Sequence, residues 1–273
     1  MRILKEKFLR RQLRVLALAI FVSGFGSCAS DQAAQPALNA GSALNKDVPM
    51  LVQGKSSSAG LHYVLTLPGA VAGGSHPPLI VFLHSLEERG GPLDLLMDNP
   101  KGQGLGLAGY AYGKPGFPFA TLSPLCPKGG FWTFMHRRLV TLIMEVVAEY
   151  GLDPGRVFLS GVSMGGIATW SLGMYRPGLF KALAPIAGPV YTPPIRPRYS
   201  RLAGLPVFAF HDRSDPSIAF ALAEASVEKL NSRGGSGKLT AYDTGLHYIQ
   251  EQVFYDGELF ERFLALAAGG PVE

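Results

Sequence analysis

One short run decides most of what this chain can become. Gly161-Val162-Ser163-Met164-Gly165-Gly166 stands between Arg156-Val157-Phe158-Leu159-Ser160 and a helical stretch at 167–175. A serine with glycines two residues away on each side, a strand before it and a helix after it, predicts a sharp strand-to-helix turn. On such a turn the backbone is strained and the hydroxyl stands clear above a sheet. Gly161 and Gly165 are needed because side chains there would collide with the neighbouring strand and helix. The helix amino terminus favours developing negative charge. With 34 glycines in 273 residues the pattern is not rare. Chance alone gives about 0.3 occurrences in such a chain, so the flanking strand, helix and third glycine carry the reading.

The remaining chain fits the same architecture. Leu79-Ile80-Val81-Phe82-Leu83 is a continuous apolar run between Pro77-Pro78 and His84, the pattern of a strand covered on both faces. Similar runs occur at 119–122, 157–159, 182–186 and 206–210, and 238–243 reads as the last strand. Leu139, Leu142, Ile143, Val146 and Val147 recur at helical spacing, with Gly151 closing that helix. Ile218, Leu222, Ala225 and Leu230 mark a second helix, and Leu259, Phe260, Phe263 and Leu264 a last one. Strands alternating with helices predict an α/β fold with a mostly parallel central sheet and helices on both faces. At 47% hydrophobic residues there is ample material for its core.

The front of the chain is different. Arg2, Lys5, Lys7, Arg10, Arg11 and Arg14 face the single acid Glu6, a short apolar run follows at 15–22, and small residues come next. That is the plan of an export signal, too short to span a bilayer. Phe25-Gly26-Ser27-Cys28 resembles a lipoprotein signal, in which Cys28 becomes the lipidated amino terminus. The expected organisation is a signal at residues 1–27, a flexible tether at 28–60 and one catalytic domain at 61–273. The protein is then exported and held to a membrane, periplasmic or at the cell surface. Six of the 25 basic and one of the 20 acidic residues fall within the signal, leaving 19 of each. A formally neutral mature chain gives no reason to expect a nucleic-acid partner. Two cysteines offer neither a disulfide scaffold nor paired zinc-ligand spacing.

A serine nucleophile needs a base to take its proton and a carboxylate to orient that base. On a strand-turn-helix scaffold these follow in the order serine, acid, histidine. After the run at 206–210 comes His211-Asp212-Arg213-Ser214-Asp215-Pro216. Asp215 lies beyond the strand end and is the chosen acid; Asp212 is its rival, and Asp215 before Pro216 also suits a helix cap. His247 alone among the six histidines lies beyond the acid, so chain order selects it as the base. Two N–H groups must hold the oxyanion. Met164 supplies one by position, and the loop after Leu83 the other, with Leu86 the candidate.

These residues resemble the α/β-hydrolase superfamily. More narrowly they resemble secreted esterases near the polyhydroxybutyrate-depolymerase, feruloyl-esterase and dienelactone-hydrolase-like branch. That branch carries H-G-x-G-E-R-G after a strand, then P-x-C-P followed by a tryptophan. Here the corresponding residues are His84-Ser85-Leu86-Glu87-Glu88-Arg89-Gly90, then Pro124-Leu125-Cys126-Pro127 and Trp132. Leu152-Asp153-Pro154-Gly155-Arg156-Val157 before the turn and the segment from His247 to Phe260 are similar as well. The resemblance implies an esterase with no metal or organic cofactor. Ser85 and Glu87 replace the two glycines, so they are expected to weaken the oxyanion hole, Glu87 by pointing a carboxylate inward.

The expected function is therefore a serine carboxylic-ester hydrolase working through an acyl-enzyme on a small-molecule or polysaccharide-linked ester. A serine peptidase or acyltransferase on the same fold, and a non-catalytic lipoprotein that keeps the fold for binding, are the alternatives. Trp132 is a candidate for the substrate pocket, and Arg196, Arg198 and Arg201 for its rim. Cys126 is expected to be inert.

Overall fold

The computed structural model describes residues 49–56, 58–69, 76–99, 104–191 and 197–270. Residues 1–27, read as an export signal, and Cys28 lie outside the described residues. The described residues form ten strands: β1 Met50–Lys55, β2 His62–Leu67, β3 Leu79–Leu83, β4 Asp98–Asn99, β5 Gly104–Leu105, β6 Ala120–Pro124, β7 Val157–Val162, β8 Ala182–Ile186, β9 Val207–Asp212 and β10 Gly237–Tyr242. The helices are α1 Leu107–Tyr112, α2 His136–Glu149, α3 Met164–Tyr175, α4 Phe220–Asn231, α5 Gln250–Asp256 and α6 Glu258–Ala267.

Eight strands form one sheet in the order β1-β2-β6-β3-β7-β8-β9-β10, while β4 and β5 pair separately. β1 and β2 are antiparallel to their neighbours; from β6 to β10 every pairing is parallel. The strand runs read from the sequence are all present. Their continuous apolar character has the expected cause. Leu79, Val81 and Leu83 face a core shared with Leu139, Leu142 and Ile143 of α2, while Ile80 and Phe82 face a second core with Phe254, Phe260 and Phe263. Successive side chains on a strand point to opposite faces, so a strand buried on both must be apolar throughout.

The ordered fold begins earlier than residue 61. β1 lies within the segment read as a tether, and its six residues pair in full register with β2, Met50 against Leu67 through Lys55 against His62. Polar Gln53 and Lys55 disguise it, because an edge strand needs only part of one face buried. Ala59 then packs into the core, and Arg138 donates to its carbonyl.

Parallel strands send all their carboxyl ends to one rim of the sheet. From β3 the chain goes to β6 on one side and later to β7 on the other. The loops after β3 and β7 therefore part in opposite directions, opening the crevice in which sheets of this kind place their ligands.

Candidate active site

Ser163 joins β7 to α3 with φ 56° and ψ −114°. This is a positive φ that a non-glycine residue adopts only when its surroundings impose it. Its N–H donates to the Ile186 carbonyl (3.0 Å), and its own carbonyl accepts from the Ile167 N–H (2.9 Å). The two glycines expected at this turn are required by close approach to β3. A Cβ on Gly165 would sit 1.8 Å from the Leu83 carbonyl oxygen, and one on Gly161 would sit 2.7 Å from it. The start of α3, whose first residue is Met164, is thereby pressed against the end of β3.

Two loops from this rim meet beside Ser163. His247, between β10 and α5, lies with Nε2 2.8 Å from Ser163 Oγ. Its Nδ1 lies 2.8 Å from Asp215 Oδ2, in the loop after β9. The Asp215 side chain has no exposed surface, and that of His247 is 8% exposed. Asp215 Oδ1 accepts the N–H groups of Ser217 (2.7 Å) and Ile218 (2.8 Å), and Oδ2 also faces His211 Nε2 at 3.2 Å. Burial alone would raise the carboxyl pKa, but the hydrogen bonds from His211 and His247 overcome it and hold Asp215 well below the usual carboxylate range. Asp215 therefore caps a turn and contacts the histidine at once. It does not cap α4, which begins five residues later, at Phe220. The rival acid, Asp212, is directed at Thr244 and Gly245 instead.

The loop after β3 departs from the expectation of a damaged oxyanion hole. Glu87 is exposed. The buried carboxylate is its neighbour Glu88, 6% exposed, which the sequence reading did not single out. Ser85 is fully buried and turns its hydroxyl away, donating to Glu88 Oε2 (2.6 Å) and accepting the Glu87 N–H (3.2 Å). Asn99 Nδ2 donates to Glu88 Oε1 (3.3 Å). Burial works against the charge, yet the His84 ring 3.6 Å away and the hydrogen bonds from Ser85 and Asn99 outweigh it and lower the Glu88 pKa. The His84 ring fixes the root of the loop. Its Nε2 accepts the Cys126 N–H (2.9 Å), which assigns the ring proton to Nδ1, 2.6 Å from the Ser85 carbonyl. Leu86 is half-buried against the core that contains Leu83.

Two substrate candidates are corrected. Trp132 is fully buried, and its indole N–H donates to the His84 carbonyl (3.1 Å), so it props the loop from within the core and offers no surface to a substrate. Arg201 lines a cleft with Lys181 and Pro206, at the amino ends of the strands, and donates to the Tyr175 carbonyl. That is the rim opposite Ser163. Arg196 lies outside the described residues. Tyr248, not foreseen, sits with its ring 4.8 Å from that of His247. Burial raises the pKa of its phenol. Cys126 has no exposed surface, and burial pushes its thiol up to about 12, as an inert cysteine requires. Among the described residues, no group of three His, Cys, Asp or Glu side chains is arranged to hold a metal ion.

No family model and no curated protein matches this sequence. Solved structures do. A thermostable esterase is 25% identical, with a TM-score of 0.67 over 81% of this chain and 63% of its own. A feruloyl esterase module from Clostridium thermocellum, solved with sinapinate, is 14% identical, with a TM-score of 0.60 over 84% and 94%. An acylaminoacyl peptidase from Pyrococcus horikoshii is 15% identical, with a TM-score of 0.58 over 80% and 42%. The chain thus spans less than two thirds of the length of the esterase and under half of the peptidase. With its mostly parallel eight-stranded sheet and these likenesses, the chain has the α/β-hydrolase fold and is esterase-like in structure.

Proposed function

We propose that this protein is a serine hydrolase of the carboxylesterase kind. One observation carries the reading: Ser163 Oγ, the His247 ring and the Asp215 carboxylate form a chain with 2.8 Å at each link, on a turn that strains the serine. In that arrangement His247 Nε2 takes the proton as Ser163 Oγ attacks the ester carbonyl, and Asp215 stabilises the imidazolium through Nδ1–H. The N–H groups of Met164 and Leu86 hold the oxyanion. His247 returns its proton to the departing alcohol, leaving an acyl-serine. A water activated by the same ring then releases the acid. A small-molecule or polysaccharide-linked ester is the substrate class, and no cofactor is required. We read residues 1–27 as an export signal and Cys28 as a lipid-anchored terminus. Mass spectrometry of the membrane fraction tests that, with Cys28→Ala expected in the soluble fraction.

The test of activity is hydrolysis of p-nitrophenyl esters from acetate to octanoate by the protein and by Ser163→Ala. Turnover abolished in the variant supports the reading, and the chain-length optimum measures the acyl site. Cleavage of blocked aminoacyl amides in preference to esters turns it to a peptidase. A folded protein inert to both, and to a fluorophosphonate, is a binding protein.

A further inference from the structure

Two neighbours at the end of β9 hold the proposed triad from behind. His211 and Asp212 are adjacent and have no exposed surface. Consecutive residues of a strand face opposite sides, so one strand end serves two loops. His211 Nε2 lies 2.9 Å from the Ile218 carbonyl and 3.2 Å from Asp215 Oδ2. Its ring proton is therefore on Nε2, shared between the acid and the turn that carries it; Nδ1 has no partner among the described residues.

Asp212 serves the other loop. Its Oδ1 accepts the Ser214 N–H (2.8 Å), and its Oδ2 accepts the Thr244 N–H (2.5 Å) and hydroxyl (2.7 Å). The Gly245 N–H lies 3.2 Å from both oxygens. Thr244 and Gly245 begin the turn that carries His247 after β10 has ended at Tyr242. These donors overcome burial and keep the Asp212 pKa low. A buried charge is costly unless its hydrogen bonds are complete. Here they are, and the donors belong to the two loops that carry the acid and the base.

We infer that Asp212, with His211 beside it, is a positioning residue of the Ser163–His247–Asp215 chain, fixing the His247 loop relative to Asp215. The inference rests on the function proposed above.

Asp212→Asn keeps the size of the side chain but turns one acceptor into a donor that faces other donors. It is expected to lower kcat for p-nitrophenyl esters about 100-fold, with KM within about 2-fold of the parent, since a small misplacement costs that much. Thr244→Val removes one donor from an exposed residue. It serves where Asp212→Asn does not fold, with an expected loss of about 10-fold that Thr244→Ser restores. A second readout needs no ester. The His247 Nδ1–H proton, held against Asp215, resonates far downfield and is identified by its absence in His247→Ala. It should shift or broaden in both variants. If kcat and this resonance stay as in the parent, or if kcat falls only with the folded fraction, the positioning role is overturned. If the resonance moves but the parent hydrolyses no ester, positioning stands and the esterase reading falls.

Discussion

Ser85 donates its hydroxyl to Glu88 Oε2 across 2.6 Å, and the two residues are 0% and 6% exposed. In the esterases this chain resembles, a glycine stands at the Ser85 position. Here the serine is one of the donors that let a carboxylate remain charged beneath the loop after β3. Ser85→Gly introduces the glycine of those esterases yet strips Glu88 of that donor, at an expected cost of about 1–3 kcal/mol for a buried polar group left short of a partner. It should lower both the urea midpoint and kcat. A gain in kcat would instead mean that Ser85 impairs the oxyanion hole, as its sequence position suggested.

Buried carboxylates set the acid limit of the fold. Asp215, Asp212 and Glu88 are all depressed below their ordinary values by hydrogen-bond donors that outweigh burial. The sign follows from proton counting. Between the depressed native pKa and the ordinary unfolded one, at about 4, the unfolded chain binds more protons. These groups therefore add stability that is complete above about pH 5 and is lost as pH falls towards their native values. Urea midpoints should be level from about pH 7 to 5 and drop steeply below about 4, with a shallower drop in Glu88→Gln. An identical slope in that variant would remove Glu88 from the account.

How much of this was legible in the sequence depends on how local the signal is. The nucleophile turn was, because collisions with β3 demand glycine at Gly161 and Gly165, and that demand is written as G-x-S-x-G. Chain order pointed to His247, and a place beyond the end of its strand favoured Asp215 over Asp212, since parallel connectivity brings such loops to one rim. Glu88 escaped notice because its partner Asn99 comes from a separate segment, and a charged residue reads by default as solvated. Trp132 misled for the same reason. An aromatic residue near a site looks like a pocket floor until the carbonyl that accepts its N–H is located. The segment before residue 61 reads as a tether that becomes the first strand, but the bounds of β1 are not legible because its polar residues hide the alternation.

Cys126 should resist modification until the protein unfolds. The thiolate is the reactive form, and burial that pushes the thiol up to about 12 leaves almost none of it at pH 8. Iodoacetamide at pH 8, followed by peptide mass spectrometry, should leave Cys126 unlabelled in the native protein and label it fully in urea. Labelling of native protein at a comparable rate would show that the segment opens, and with it the Cys126 N–H anchor of His84.

The closest approach at the proposed site is also its most demanding test. A methyl group on Gly165 would lie 1.8 Å from the Leu83 carbonyl oxygen and 2.5 Å from its carbon. Both are backbone atoms of the central strand, so no side chain can yield, and relief requires α3 to lift away from β3. Gly165→Ala is expected to cost more than about 4 kcal/mol, the range reserved for strain and overpacking in a core. Gly178→Ala is the matched control, because a Cβ there meets nothing within 4 Å. Its effect should stay within about 0.5 kcal/mol. Thermal unfolding of the two variants side by side decides the matter. If Gly165→Ala melts with the parent, the elbow and β3 are not in the contact that sets Ser163 beside the loop after β3.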